Sequence, residues 1–492
     1  MYLLTYPTKV KHSLLIRFTL ITLLSILTSS TVNSQEKIPS LSEINKQSSV
    51  KSLIKDISIS GNKKTKDFVI IREMGFDIGD SLPVTNIATT LSRVKYNILN
   101  TKLFTDVNLN IRNWDAEGLE IAVTVVEKWY ILPIPIFQLA DRNLNEWWVD
   151  RNKDFKRIQY GAMINWGNFR GRNETLNISA SLGFAQMIGL QYDMPHLFSK
   201  GRLGAHIDIN MMRSKRMAID TRNNKLVFYY DKNFITKSIH VAPRLLIHRD
   251  ANTYHYVEAA YRYKWVDRHV PQLNEDYFLN GKNTQSAVSV EYGFDIDKRT
   301  LKAYPTVGFQ IKGSISNYGL GLQNNINMTM LSLSGSKFFT LDKKSKHSTG
   351  HYLKVNSSFP RQQPYNLQRG LGFEQDFVRG YEYYVIDGQH YFLAKNEYRY
   401  HLGTLKIGAN PKKRKPLLLQ PLPFDFFIKA YIDAAYVSDK FYTFENTLHN
   451  ELLVGGGIGL DILLMYDRVV RIEYSVNKEK EHGLFFHLEL PF

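Results

Sequence analysis

The chain has 492 residues, with 63 Lys and Arg against 46 Asp and Glu for a formal net charge of +17, and it is 43% hydrophobic and 13% aromatic. Zero cysteines excludes a disulfide scaffold, a Cys-ligated zinc site and a lipid-modified cysteine. With 29 Tyr and 28 Phe but no mature run near the roughly 18 to 20 apolar residues of a membrane helix, the composition excludes helical membrane spans and is not that of a soluble enzyme of this length.

Residues 1–34 read as a secretory signal: Lys9, Lys11 and Arg17 precede the apolar run Phe18 to Leu27, and Val32-Asn33-Ser34 offers small residues before Gln35. Its removal takes three basic residues and no acid, so the net charge falls from +17 to +14. Export argues against nucleic acid as a partner. The basic surplus suits loops and rims that face anionic headgroups or lipopolysaccharide.

Residues 35–50 form a polar linker, and 51–130 a small mixed module. Leu53 to Gly61 reads as a strand closed by the turn Gly61-Asn62. Thr65 or Asp67 can cap a short helix that runs to Met74 and stops at Gly75. A second helix carries Ile87, Leu91, Val94 and Ile98 on one face, and strands follow at Val107 to Arg112 and Leu119 to Glu127. The order is β-α-α-β-β, and a three-strand sheet with an open edge can add an extended peptide. The bland alternative is that the module only plugs or orients the larger domain on its C-terminal side.

After a linker at 131–156, the stretch 157–492 shows no helical face, while segments of period two recur. Val288, Val290, Tyr292 and Phe294 alternate with Ser289, Glu291, Gly293 and Asp295; Val257, Ala259, Tyr261, Tyr263 and Trp265 oppose Glu258, Arg262 and Lys264; and Val470, Ile472, Tyr474 and Val476 oppose Arg471, Glu473, Ser475 and Asn477. Charges at every second position would be ruinous in a packed core but are tolerable around a hydrated lumen. Turn signals divide the stretch into 16 strands, at 158–166, 174–184, 186–194, 202–212, 225–231, 237–248, 254–265, 285–295, 305–315, 326–340, 351–359, 390–401, 426–437, 452–464, 468–477 and 484–492. The segment 408–422, with Lys412-Lys413-Arg414-Lys415, is long for a turn. The final strand alternates Leu484, Phe486, Leu488 and Leu490 to the terminal Phe492.

Residues 369–388 centre on Val378-Arg379-Gly380-Tyr381, an arginine beside a glycine, closed in by aromatics. That composition describes a loop that folds back and presents one fixed guanidinium, which needs an acidic partner. In 391–400 the odd positions Lys395, Glu397 and Arg399 are charged, and in 427–437 the period of two places Lys429 and Asp433 on one face. We expect Arg379 inside a barrel, paired with Asp433, with Glu397 and Arg399 as further luminal partners.

Val378-Arg379-Gly380-Tyr381 resembles the Val-Arg-Gly-Phe/Tyr signature of the BamA/TamA superfamily of outer-membrane assembly and translocation proteins, the bacterial surface antigen family. Ile59-Ser60-Gly61-Asn62 with Thr65, Gly79-Asp80, Leu103-Phe104 and Val123 to Glu127 resemble one POTRA domain of that family. Asn168-Phe169-Arg170-Gly171-Arg172 resembles the first hairpin turn of its barrel, and Asp297-Lys298-Arg299 with Pro305 and Gly308 the turn between strands 8 and 9. Tyr431-Ile432-Asp433-Ala434-Ala435 resembles the Phe-x-Asp-x-Gly word of strand 13, with Tyr and Ala as departures that leave less room for the loop. The aromatic end of the last strand, Phe486, Leu488, Leu490 and Phe492, resembles the signal by which outer-membrane barrels are recognised.

The resemblance implies a 16-stranded antiparallel transmembrane β-barrel in the bacterial outer membrane, preceded by one α+β POTRA domain in the periplasm. From the strands themselves, a seam between the first, 158–166, and the last, 484–492, would leave unpaired backbone groups that could template a client strand. The resemblance also implies a factor that inserts or translocates client outer-membrane or secreted polypeptides, with lipids or lipopolysaccharide and periplasmic chaperones or accessory lipoproteins as further partners. The alternative from another class is a passive pore or receptor with no client. No enzyme, catalytic residue, cofactor or metal is expected: His248-Arg249-Asp250 copies a kinase word without a Gly-rich loop, the glycines at 455–459 open a strand, and neither a His-Glu-x-x-His pair nor a Gly-x-Ser-x-Gly elbow occurs.

Overall fold

The structure is a computed structural model that describes residues 51–139, 155, 158–198, 201–250, 252–322, 326–373, 375–407, 422–440, 445–464 and 468–489. The signal 1–34, the linker 35–50, the insertion at 408–421, and Leu490 and Phe492 lie outside the described residues.

The N-terminal module is built from β1 (Lys51–Ser60), α1 (Asp67–Met74), β2 (Ser81–Pro83), α2 (Ile87–Asn100), β3 (Phe104–Asp115) and β4 (Gly118–Glu127). β1 runs parallel to β4, β3 runs antiparallel to β4, and β3 is a terminal strand of the sheet. Val69, Ile70 and Met74 of α1 and Val94 and Ile98 of α2 are buried, as are Ile54, Val107, Ile121 and Val123 of the strands. Gly75 ends α1 in the left-handed region at φ 72°, where glycine has no Cβ to clash. The expected side-chain cap is absent: Lys66 holds the N-cap position, and the Thr65 hydroxyl donates instead to Glu127.

The rest is one sheet of 16 strands: β5 (Ile131–Leu139), β6 (Ile158–Phe169), β7 (Glu174–Gly183), β8 (Ala185–Met194), β9 (Leu203–Ser214), β12 (Thr236–Asp250), β13 (Thr253–Val266), β14 (Thr284–Asp297), β15 (Gly308–Tyr318), β16 (Met328–Thr340), β17 (His347–Phe359), β18 (His390–Ile407), β19 (Leu422–Ser438), β20 (Leu452–Leu464), β21 (Arg468–Asn477) and β22 (His482–Glu489). Between β9 and β12, β10 (Arg216–Arg222) and β11 (Lys225–Tyr230) form a separate hairpin. Each barrel strand pairs antiparallel with its neighbours in the order given, and the sheet ends on β5 and β22.

The expected number of strands is right, but one member is wrong. The stretch 225–231 belongs to the hairpin, whose Met217 and Ile219 are buried with Ile235, Val266, Val270, Tyr277 and Phe278. The first strand is instead β5, inside the stretch expected to be a linker. Pro133 and Pro135 disguised it, since proline removes a ladder donor and is tolerated only where a strand has a free edge. In consequence the turn at 168–172 joins the second and third strands rather than the first and second, and the strand at the end of the sheet opposite β22 is β5 rather than 158–166.

Alternation sorts the strands into two faces. Ile428, Ile432, Ile458, Tyr474, Leu484 and Phe486 are exposed, whereas Lys429, Asp433, Asp461, Glu473 and Arg399 are buried. Exposed aliphatic residues with buried charges invert the soluble pattern and fit a wall with lipid outside. No helix among the described residues is long and apolar enough to cross a membrane, which says nothing of crossing by strands.

Candidate functional site: an arginine loop held against the barrel wall

The segment between β17 and β18 folds back on itself. Leu371 and Ile386 exchange backbone hydrogen bonds of 2.8 Å, and the Tyr381 N–H donates to Val378 O at 2.9 Å. Leu371, Val378, Tyr381 and Ile386 join Leu393, Ala435, Val437 and Leu453 in one apolar cluster, so the loop is packed onto β18, β19 and β20. Gly380 sits at φ 98°, which turns the chain at the tip.

That turn delivers Arg379, 6% exposed, to fully buried Asp433. Arg379 Nε donates to Asp433 Oδ2 at 2.7 Å and Nη2 to Oδ1 at 2.6 Å, a bidentate fork, and the Arg379 backbone N–H reaches Oδ2 at 3.1 Å. Nη1 lies 3.2 Å from Glu397 Oε2 and 3.4 Å from Glu473 Oε1. The guanidinium carbon is 3.9 Å from the centroid of the Tyr431 ring, whose hydroxyl bonds Ser475.

The network continues along the wall. Arg399 Nε donates to Glu397 Oε1 at 2.9 Å and Nη1 to Pro305 O at 2.8 Å, and its guanidinium carbon lies 4.2 Å from the Tyr304 ring centroid. Lys429 Nζ is 2.8 Å from Asp461 Oδ1 and 2.7 Å from Glu473 Oε1; Tyr304 Oη donates to Asp461 Oδ2 at 2.9 Å, and Arg471 Nε lies 3.8 Å from that oxygen. The cations Arg379, Arg399, Lys429 and Arg471 thus meet as many carboxylates, Glu397, Asp433, Asp461 and Glu473. Such a cluster is tolerable in a buried setting only because its charges are matched.

Of the residues picked out by sequence, Arg379, Asp433, Glu397 and Arg399 come together here, with Val378 and Tyr381 as buried packing and Gly380 at the bend. Glu473, Asp461, Tyr304 and Tyr431 complete the site and were not singled out for it. Alternation placed Glu473 on the charged face of its strand, but cross-strand register was needed to bring it to Arg379. Ala435 is buried in the apolar cluster; the close approach of the loop is taken up by Gly455 on β20, where a Cβ would lie 1.9 Å from Arg379 O. Phe486 is 69% exposed on the lipid face, and the Leu488 backbone continues β22, the strand that in sequence runs on to Leu490 and Phe492.

The model of the Omp85 superfamily domain matches residues 168–478, more than half of the chain, and takes in both the arginine loop and the strands that hold it. The chain belongs to the Omp85 superfamily. A second model, the POTRA family described as the surface antigen variable number repeat, matches residues 52–128. Among solved structures, this Omp85 chain is similar to BamA from Haemophilus ducreyi lacking POTRA domains 1–3, at 15% identity over 89% of this chain and 84% of that one with a TM-score of 0.49. It is also similar to CdiB from Escherichia coli, at 12% identity over 89% of this chain and 75% of that one with a TM-score of 0.52. No curated protein sequence matches. Omp85 membership places the barrel in the bacterial outer membrane and the chain, in general terms, among proteins that insert or translocate polypeptides there.

The POTRA domain meets turns of the Omp85 barrel at named points. Glu127, at the end of β4, accepts from the Lys64 N–H at 3.0 Å, the Thr65 N–H at 2.7 Å and the Thr65 hydroxyl at 2.6 Å. Burial pushes the Glu127 carboxyl up, but these donors outweigh it and hold it below the usual carboxylate range. Asn168 Nδ2 donates to Thr65 Oγ1 at 2.8 Å, the Lys66 N–H donates to Gly171 O at 2.9 Å, and Asn100 Nδ2 donates to Thr300 O at 3.0 Å.

Proposed function

We propose that this chain is a non-catalytic Omp85 factor that takes client outer-membrane or secreted polypeptides from the periplasm, docks them on the edge of its POTRA domain, and passes them to a seam between β5 and β22. The observation that carries this reading is backbone pairing: among the described residues β5 and β22 share no ladder, while every strand between them is paired on both sides. Unpaired edges template another strand. The terminal position of β3 gives the POTRA sheet a second such edge, on the domain that reaches from the barrel into the periplasm. Arg379 and its carboxylates brace the loop against β19 and β21, two strands near the seam. Lipopolysaccharide or lipids at the barrel rim, and periplasmic chaperones or accessory lipoproteins at the POTRA domain, are the further partners of this reading.

A photoreactive residue at exposed Asn110 in β3 tests the docking step, and Arg379→Ala the bracing step. Capture of a client at Asn110, and client assembly that falls in Arg379→Ala while the variant itself still inserts, is the expected result. Conductance with no client captured, or full client assembly by Arg379→Ala, counts against the proposal.

A further inference from the structure

On β12 the outward side chains Ile239, Val241, Pro243, Leu245 and Ile247 form an apolar run, of the length a tilted strand needs to cross the hydrocarbon layer. Exposed Lys237 stands at one end of that run and exposed Arg249 at the other. The Arg249 end adjoins the turns that meet the POTRA domain: the Asp297 N–H donates to Asn252 O at 2.8 Å, and Thr300 O accepts from Asn100 of α2. Lys237 therefore lies at the far end, at the headgroup level of the outer leaflet.

Register gathers a charged row at that level. Lys237 stands opposite Arg213 of β9 and Trp265 of β13, and beneath them on the same outward face Ile239 stands opposite Met211 and Tyr263. The Lys237 ammonium lies 5.3 Å from the Trp265 ring centroid, while the Arg213 guanidinium carbon and Lys215 Nζ lie 4.3 and 5.3 Å from the Phe234 ring centroid. Rings hold a cation in place without neutralising it. Among the described residues Arg213, Lys215 and Lys237 form no ion pair, whereas inward-facing Arg244 of β12 is held by Glu258 at 2.7 Å. Asp231, whose N–H donates to Lys215 O at 3.0 Å, turns its carboxylate to the Asn233 N–H at 2.7 Å. Arg213 Nε donates to Gln186 Oε1 at 2.8 Å, a neutral partner that fixes the guanidinium and leaves its charge.

We infer that the outer rim of β9, β12 and β13 binds a phosphorylated glycolipid of the outer leaflet, with phosphate on Arg213, Lys215 and Lys237 and acyl chains along Met211, Ile239 and Tyr263. This gives a place to the lipid partner of the function proposed above, and rests on the POTRA domain facing the periplasm. Cations without acids at the edge of the hydrocarbon attract anionic headgroups. Three neighbouring strands set about 4.8 Å apart spread the row over roughly 10 Å. That width, with three cations, suits a sugar carrying more than one phosphate better than a single phosphodiester.

The test titrates the purified full chain in detergent micelles with bisphosphorylated lipid A, the same lipid after phosphatase treatment, phosphatidylglycerol, and inorganic phosphate, and reads bound ligand by native mass spectrometry. Wild type should bind the bisphosphorylated lipid about tenfold more tightly than either other lipid, the effect of losing one charge-assisted contact. Arg213→Gln with Lys237→Gln should abolish that preference, and Arg249→Gln, at the other end of the same strand, should keep it. Equal binding of the phosphatase-treated lipid or of phosphatidylglycerol by wild type, or a preference that survives the double substitution, overturns the inference. So does inorganic phosphate that binds as tightly as the lipid, which would make this a simple anion site, or a copurifying polypeptide lost in place of lipid from the double variant, which would make it a protein interface. The wild-type comparisons stand even if the variant folds poorly. No client is present, so their outcome is separate from client capture at Asn110.

Discussion

Asp433 carries two bonds from one guanidinium and a third from the backbone of the same residue, so its removal strips Arg379 of its principal counter-charge inside the wall. Asp433→Ala should destabilise the folded barrel by about 3 to 5 kcal/mol, the usual consequence of leaving half of a buried pair. The shift in denaturant midpoint of the purified barrel checks this. Arg379→Lys should not rescue function, because an ammonium cannot reproduce the fork on Asp433 while also reaching Glu397 and Glu473. Client assembly in that variant equal to wild type would contradict the assignment. At Glu127 the sign follows from its lowered folded pKa. Its contribution is complete above the unfolded carboxylate range and disappears as pH falls through the folded value. Glu127→Gln should therefore lower POTRA stability by about 1 kcal/mol at neutral pH and match wild type in acid, as followed by urea melts across pH. Much of this site was legible beforehand, because Arg379 stands beside glycine and Asp433 and Glu397 fall on charged faces of period two. Glu473 and Asp461 were not chosen, since one strand's alternation says which way a side chain points but not which residue of a distant strand lies opposite.

At the level of elements, alternation was strong enough to find fifteen of the barrel strands and to place Asp433 in the thirteenth. It failed where local chemistry and tertiary role diverge. Residues 225–231 have strand character and do form a strand, but their partner is the neighbouring stretch 216–222, and the hairpin packs on Val270, Tyr277 and Phe278. Nothing in a single strand's pattern states which sheet it will join. In β5 the two prolines are unsuited to a strand paired on both sides, a condition that β5 does not meet among the described residues. Phe278 is 1% exposed beneath the hairpin, and Phe278→Ala should cost about 3 kcal/mol of local stability. Hydrogen exchange should quicken across 216–230 and stay slow in β18 and β19; protection unchanged in the hairpin would show that its cluster does not hold it.

Across the whole chain, the POTRA domain and the barrel meet at the turn after β6 and at Thr300, through backbone and amide hydrogen bonds. Gly171 lies at φ 73° and a Cβ there would come 2.3 Å from Lys64 O, so only glycine allows this approach. Gly171→Val should separate the domain from that turn and broaden the distance distribution between spin labels on α2 and β15; an unchanged distribution would mean the contact does not set the domain's position. Only Lys128, Trp129 and Tyr130 separate β4 from β5. With so little slack, the last strand of the POTRA sheet and the proline-bearing first stave of the barrel are nearly one continuous stretch of chain, so on the function proposed above a tug on the docking sheet would reach that stave directly.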